Sequence, residues 1–96
     1  MITSDQRQTI INHLKPLNPF RIGIFGSYAR NENRRDSDLD ILVSPDYSLR
    51  PSLLDIIGIE QSLSAALGIK VDLITERALH PNIRPYIEKD LTIIFE

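Results

Sequence analysis

Two carboxylates, Asp38 and Asp40, stand one residue apart at the head of an apolar run, Leu39-Asp40-Ile41-Leu42-Val43. In an extended strand, residues i and i+2 project to the same face, so these two acids converge while Leu39 turns the other way. Unpaired carboxylates this close repel and raise each other's pKa. A hard divalent cation removes that conflict, and magnesium favours carboxylate oxygens completed by substrate phosphates. Upstream, a second short apolar run ends at Gly26-Ser27. Gly26 lets the backbone approach a ligand closely. Ser27 supplies a hydroxyl, and the amides that follow can point at an anion. The stretch 22–43 therefore describes a triphosphate held between a Gly-Ser turn and metal-bound aspartates.

Positioning these groups requires strands on both sides of the turn. Residues 20–25 and 39–43 read as buried strands, being short, rich in aromatic and β-branched residues, and bounded by turn formers. Residues 70–75 alternate: Val71, Leu73 and Thr75 face one way, and Lys70, Asp72 and Ile74 the other. Paired beside 39–43, this strand brings Asp72 to Asp38 and Asp40, a convergence that marks a metal-site candidate. The alternative is a solvent-facing Asp on an edge strand. Residues 27–30 should form a helical turn and 31–36 a charged loop. Arg30 either pairs with a carboxylate to fix that loop or contacts phosphate. Arg34 and Arg35 are solvated cations, or one of them reaches phosphate or an acidic patch on a partner.

The remaining elements are helical. Residues 4–15 form a helix opened by a capping box of Thr3 and Gln6, with Ile10, Ile11 and Leu14 as its apolar stripe and Pro16 and Pro19 beyond its end. A longer helix runs from Pro51-Ser52 to about Leu67, with Leu53, Ile56, Ile57, Leu63, Ala66 and Leu67 as its core face and Gly68 as its stop. Leu54 and Ile59 widen its apolar surface, as a partner contact or through deeper packing. A short helix at 84–90 and a strand at 92–95 complete a single domain over residues 1–96. The expected fold is a two-layer α/β (α+β) domain, a mixed sheet of about four strands flanked by helices.

Gly26-Ser27-Tyr28-Ala29-Arg30 followed by Ser37-Asp38-Leu39-Asp40-Ile41 resembles the signature of the polymerase-β-like nucleotidyltransferases, most closely the minimal nucleotidyltransferases of bacteria and archaea. The resemblance spans nearly the whole chain, and Val71-Asp72-Leu73 fits the place of the family's third acidic residue. Asn31 stands where many relatives have Gly, and Asn also tolerates left-handed backbone. The resemblance implies a polymerase-β palm-like fold and transfer of AMP from ATP to a hydroxyl, with release of pyrophosphate. It implies two Mg2+ ions that clamp the attacking and leaving oxygens. Asp38 and Asp40 would bridge both ions, and Asp72 would complete the one nearest the incoming hydroxyl. Gly26 and Ser27 would hold the leaving phosphates, with Arg30 also in the nucleotide-binding set. The acceptor implied by the family is a tyrosine on a separate small helical toxin of the HEPN type, which makes this chain an antitoxin. Two other readings stand beside it: an antitoxin that masks its partner by contact alone, and a small-molecule nucleotidyltransferase whose pocket would need dimerisation.

Composition sets the outer bounds. The 96 residues suffice for one core and leave little for a second lobe. A net charge of −2 and a pI near 5.6 provide no basic field for gripping nucleic acid. The absence of cysteine excludes disulfides, thiol catalysis and cysteine-zinc sites. No apolar run approaches the roughly 20 residues of a membrane span, and the first residues lack a signal-peptide profile, so a cytoplasmic protein is expected. Arg7 and His13 match a loose Arg-x5-His spacing and read as surface residues of a short helix. With His80 isolated in a loop, the histidines argue against a zinc site.

Overall fold

The computed structural model describes residues 2–96. Three helices and four strands follow in the order α1 (Ser4–Leu14), β1 (Arg21–Phe25), β2 (Leu39–Ser44), α2 (Leu53–Leu67), β3 (Val71–Thr75), α3 (Arg84–Asp90) and β4 (Thr92–Phe95). The strands form one mixed sheet in the order β3-β2-β1-β4. β1 is antiparallel to both β2 and β4, whereas β2 and β3 run parallel and are joined through α2. A parallel pair needs such a crossover because a tight turn reverses the chain.

Local chemistry explains where the helices start. Thr3 and Gln6 cap α1 reciprocally, as the sequence predicts, and Ser52 and Asp55 do the same for α2. Gly68 ends α2 in the left-handed conformation, returning its amide to the Ser64 carbonyl.

One face of the sheet carries the main core. Ile22, Ile24, Leu39, Ile41, Val43, Val71 and Leu73 pack there with Ile10 and Leu14 of α1 and Ile56 and Leu63 of α2. The opposite face is partly covered by α3, where Ile87 joins Phe25, Leu42 and Leu79, with Ile74 and Leu91 against them. Arg7 fastens α1 to β4 by donating two hydrogen bonds, at 3.0 and 2.9 Å, to the Ile94 carbonyl. Its part in the fold is therefore structural.

Two expectations need correction. Phe20 lies outside β1 and is exposed, although its amide still donates to the Ser44 carbonyl at 2.8 Å. In α2 the buried stripe runs through Ile56, Ile59, Leu63 and Leu67, whereas Leu53 is 74% exposed and Leu54 79%. Ile57 and Ala66 each sit one residue off that stripe, about 100° around the helix, and face outward. Among the described residues no helix is long and apolar enough to cross a membrane.

Leu63 is fully buried between α2 and the sheet. Leu63→Ala should lower unfolding stability by about 2–5 kcal/mol. Leu54→Ala on the exposed side should stay within about 0.5 kcal/mol of wild type. Urea titrations of the three proteins test both; comparable losses for the two variants would contradict this assignment of the α2 faces.

Candidate active site

Register decides which acids meet. In the parallel β2–β3 ladder Leu39 is opposite Val71, Asp40 opposite Asp72 and Ile41 opposite Leu73. Leu39, Ile41, Val71 and Leu73 all enter the main core. Alternation then places Asp40 and Asp72 together on the other face, the one α3 partly covers. Asp38 sits just before β2 rather than within it, since the strand begins at Leu39, whose amide donates to the Lys70 carbonyl at 2.8 Å. The Lys70 ammonium lies 3.7 Å from Asp38, an exposed pair of small energetic value.

The electrostatics agree with the convergence. The Asp40 carboxyl is pushed up to about 6, first by burial, then by the charges of Asp72 and Asp38, with Arg30 acting the other way. Asp72 itself is exposed. An acid raised by burial and by two like charges lies in a region short of positive charge.

Gly26 ends β1 and is next to Asp40. The β1–β2 ladder pairs Phe25 with Asp40, and the backbone then turns at Gly26 with φ +73°. A Cβ built on Gly26 would collide with the Asp40 carboxylate. Both the left-handed backbone and the missing side chain are therefore required here. The turn itself is closed by Arg30 donating to the Gly26 carbonyl at 3.1 Å and Glu32 to the Ser27 carbonyl at 2.8 Å. It is a single irregular turn, anchored by Tyr28 buried in the main core. Asn31 takes φ +58°, a left-handed backbone that Asn tolerates.

Arg30 does not reach the three site acids. Its Nη1 donates to Asp90 at 2.7 Å and its Nε to Glu32 at 3.2 Å. Sequence reasoning missed Asp90 and the Lys70–Asp38 pair, because both depend on which strand ends and helix ends adjoin. Arg34 and Arg35 lie in the exposed loop, where the Arg34 amide donates to the Ser37 hydroxyl at 2.8 Å. His13 and His80 make local backbone contacts.

Among the described residues no three His, Cys, Asp or Glu side chains are arranged to hold a metal ion unaided. The donor set is nonetheless all oxygen and mutually repelling, which suits magnesium, an ion held by one or two carboxylates plus phosphates rather than by a closed protein cage.

A mixed sheet that brings a Gly-Ser turn against acids on two adjacent strands is the palm-like arrangement of nucleotidyl transfer. Comparison with known proteins agrees: residues 7–94 match the nucleotidyltransferase domain family, and the chain belongs to that family, within its minimal nucleotidyltransferase branch. The protein adenylyltransferase MntA of Thermococcus cleftensis is 37% identical over 99 residues, covering 98% of each chain. A solved structure assigned as a minimal nucleotidyltransferase superposes with a TM-score of 0.78 at 33% identity, covering 92% of this chain and 88% of that one. A toxin–antitoxin complex with AMP-PNP gives 0.82 at 25% identity, covering 93% and 72%. A Shewanella oneidensis MNT antitoxin bound to a tri-AMPylated HEPN toxin gives 0.77 at 22% identity, covering 98% and 72%, a likeness of fold.

The raised Asp40 pKa has a consequence for stability. The folded chain holds this proton to higher pH than the unfolded chain, so native stability falls as pH rises from about 4 through 6. A rise of this size corresponds to at most about 3 kcal/mol, which partial exposure screens to about 1–2 kcal/mol. Asp40→Asn should therefore be about 1–2 kcal/mol more stable than wild type at pH 8 in metal-free buffer. The gap should close by about pH 4. Denaturant midpoints at the two pH values decide it, and a gap independent of pH would contradict the charge origin.

Proposed function

We propose that this chain is a protein adenylyltransferase that moves AMP from ATP onto a tyrosine hydroxyl of a HEPN-type toxin and thereby acts as an antitoxin. The observation that carries this reading is Asp40 facing Asp72 across a parallel ladder with Gly26 pressed against Asp40. The full-length similarity to a protein adenylyltransferase supports the same activity. The complexes of this fold supply the partner class.

The roles follow from position. Gly26 and Ser27 offer backbone amides and a hydroxyl to the β- and γ-phosphates, which leave together as pyrophosphate. Asp38, Asp40 and Asp72 would hold magnesium, which when bound neutralises the phosphates and polarises the α-phosphorus. Asp72, the most exposed strand acid, accepts the proton of the incoming hydroxyl. The tyrosine oxygen then bonds to the α-phosphorus while the bond to the bridging oxygen breaks, and that oxygen departs with the electron pair. The exposed Leu53 and Leu54 of α2 leave apolar surface for a partner protein.

Asp38→Asn should abolish transfer, by at least about a hundredfold, while leaving the circular dichroism spectrum and unfolding midpoint near wild type. The readout is the intact mass of the toxin after incubation with ATP, magnesium and either protein. One or more added AMP masses with wild type alone is the expected result. Binding without added mass in either sample would replace this reading with inhibition by contact alone. Omitting magnesium should remove transfer by the wild type as well.

A further inference from the structure

The Gly-Ser turn is tied to an element sixty residues further along the chain. Arg30 donates to Asp90, the last residue of α3, at 2.7 Å. Its own amide closes the turn on the Gly26 carbonyl at 3.1 Å. Gly26 in turn lies against Asp40. Asp90 thus connects α3 to the turn and, through it, to the acids.

The placement of Asp90 needs a reason. The C-terminal end of a helix carries partial negative charge, so a carboxylate there is unfavourable. Asp90 is nevertheless only 24% exposed, while the Arg30 side chain is 43% exposed. An exposed ion pair would contribute little. This one joins a half-buried acid to a fork whose two engaged donors leave three others of the guanidinium free of Asp90 and Glu32. Two anchoring carboxylates restrict the rotamers of a side chain that otherwise loses much freedom on binding an anion.

We infer that Asp90 is a positioning residue for nucleotide: it holds the Arg30 guanidinium beside the Gly26-Ser27 turn so that the remaining donors meet the entering triphosphate. This deepens the adenylyltransferase reading and rests on it for the identity of the ligand. Glu32, on the same loop as Arg30, cannot supply the long-range tie that α3 supplies. The pair is a preorganising device: the ordering of Arg30 is completed on folding rather than on binding.

The test measures ATP binding to the otherwise wild-type parent by calorimetry with magnesium present and toxin absent, so that no acceptor hydroxyl is available for transfer. Asp90→Asn should weaken ATP binding roughly tenfold, the equivalent of one charge-assisted contact. Asp90→Glu should stay within roughly threefold, since it keeps the charge. Arg30→Ala should weaken binding as well, and adding Asp90→Asn to it should cause no further loss, because the two residues act as one unit. Unfolding midpoints of all variants establish that each is folded at the assay temperature. Unchanged affinity in Asp90→Asn, equal loss in Asp90→Glu, or additive losses in the double variant would each overturn the inference. Tight ATP binding by the parent with no AMP transfer to toxin by wild type would refute the proposed function while leaving this inference to be judged on affinity alone.

Discussion

The site depends on the parallel pairing of β2 with β3. Asp40 and Asp72 are held side by side at a cost in repulsion, and their neighbours keep them there. Leu39 and Ile41 flank Asp40, Val71 and Leu73 flank Asp72, and all four are buried in the main core. A slip of one residue would turn these apolar side chains out of the core and the acids into it. Fully burying one such side chain stabilises by about 1.5–3 kcal/mol. Four of them outweigh the Coulombic penalty between the half-buried Asp40 and the exposed Asp72. The core thereby fixes a charge arrangement that the acids alone would avoid.

Much of this was legible in the chain. Alternation in 70–75 separates Asp72 from Val71 and Leu73, and Asp38-x-Asp40 together with Gly26-Ser27 points to the candidate site by residue type and spacing. The capping residues Thr3 and Ser52 announce their helices through local hydrogen bonding, which sequence spacing captures well. Long-range pairings were not legible. Asp90 meets Arg30 only because α3 crosses the second face of the sheet, and Lys70 meets Asp38 only because β3 lies beside β2. The face of α2 was partly misjudged for the same reason. Leu53, Leu54 and Ile57 are as apolar as Ile56 and Leu63, and only the position of the sheet decides which of them it covers.

The far end of the sheet shows how the short α3 is held. Glu76, just past β3, accepts from Ser44 at the end of β2 and from Arg21 at the start of β1, and these contacts hold its carboxyl below its usual range. Arg84, the first residue of α3, donates to the Glu76 carbonyl at 3.1 Å. Asp90, the last residue of α3, takes Arg30. A helix of seven residues is too short to be stable alone. It is held by Ile87 beneath it and by polar ties at both ends.

Those two ties differ in kind. The one at Arg84 joins α3 to the ends of strands that carry no chemistry, so it serves the fold. The one at Asp90 joins α3 to the turn that ends beside Asp40. Asp40 lies against that turn under the charges of Asp72 and Asp38, with Lys70 against Asp38, and Arg30 draws the Asp40 pKa downward while paired elsewhere. The local balance is negative. In the proposed reaction such a site would have weak reason to hold magnesium by itself and strong reason to hold it with a nucleotide, the carboxylates supplying part of the coordination and the triphosphate the rest. Under the proposed function, nucleotide and metal would bind as one unit, with the repulsion that Asp72 and Asp38 exert on Asp40 favouring their joint entry.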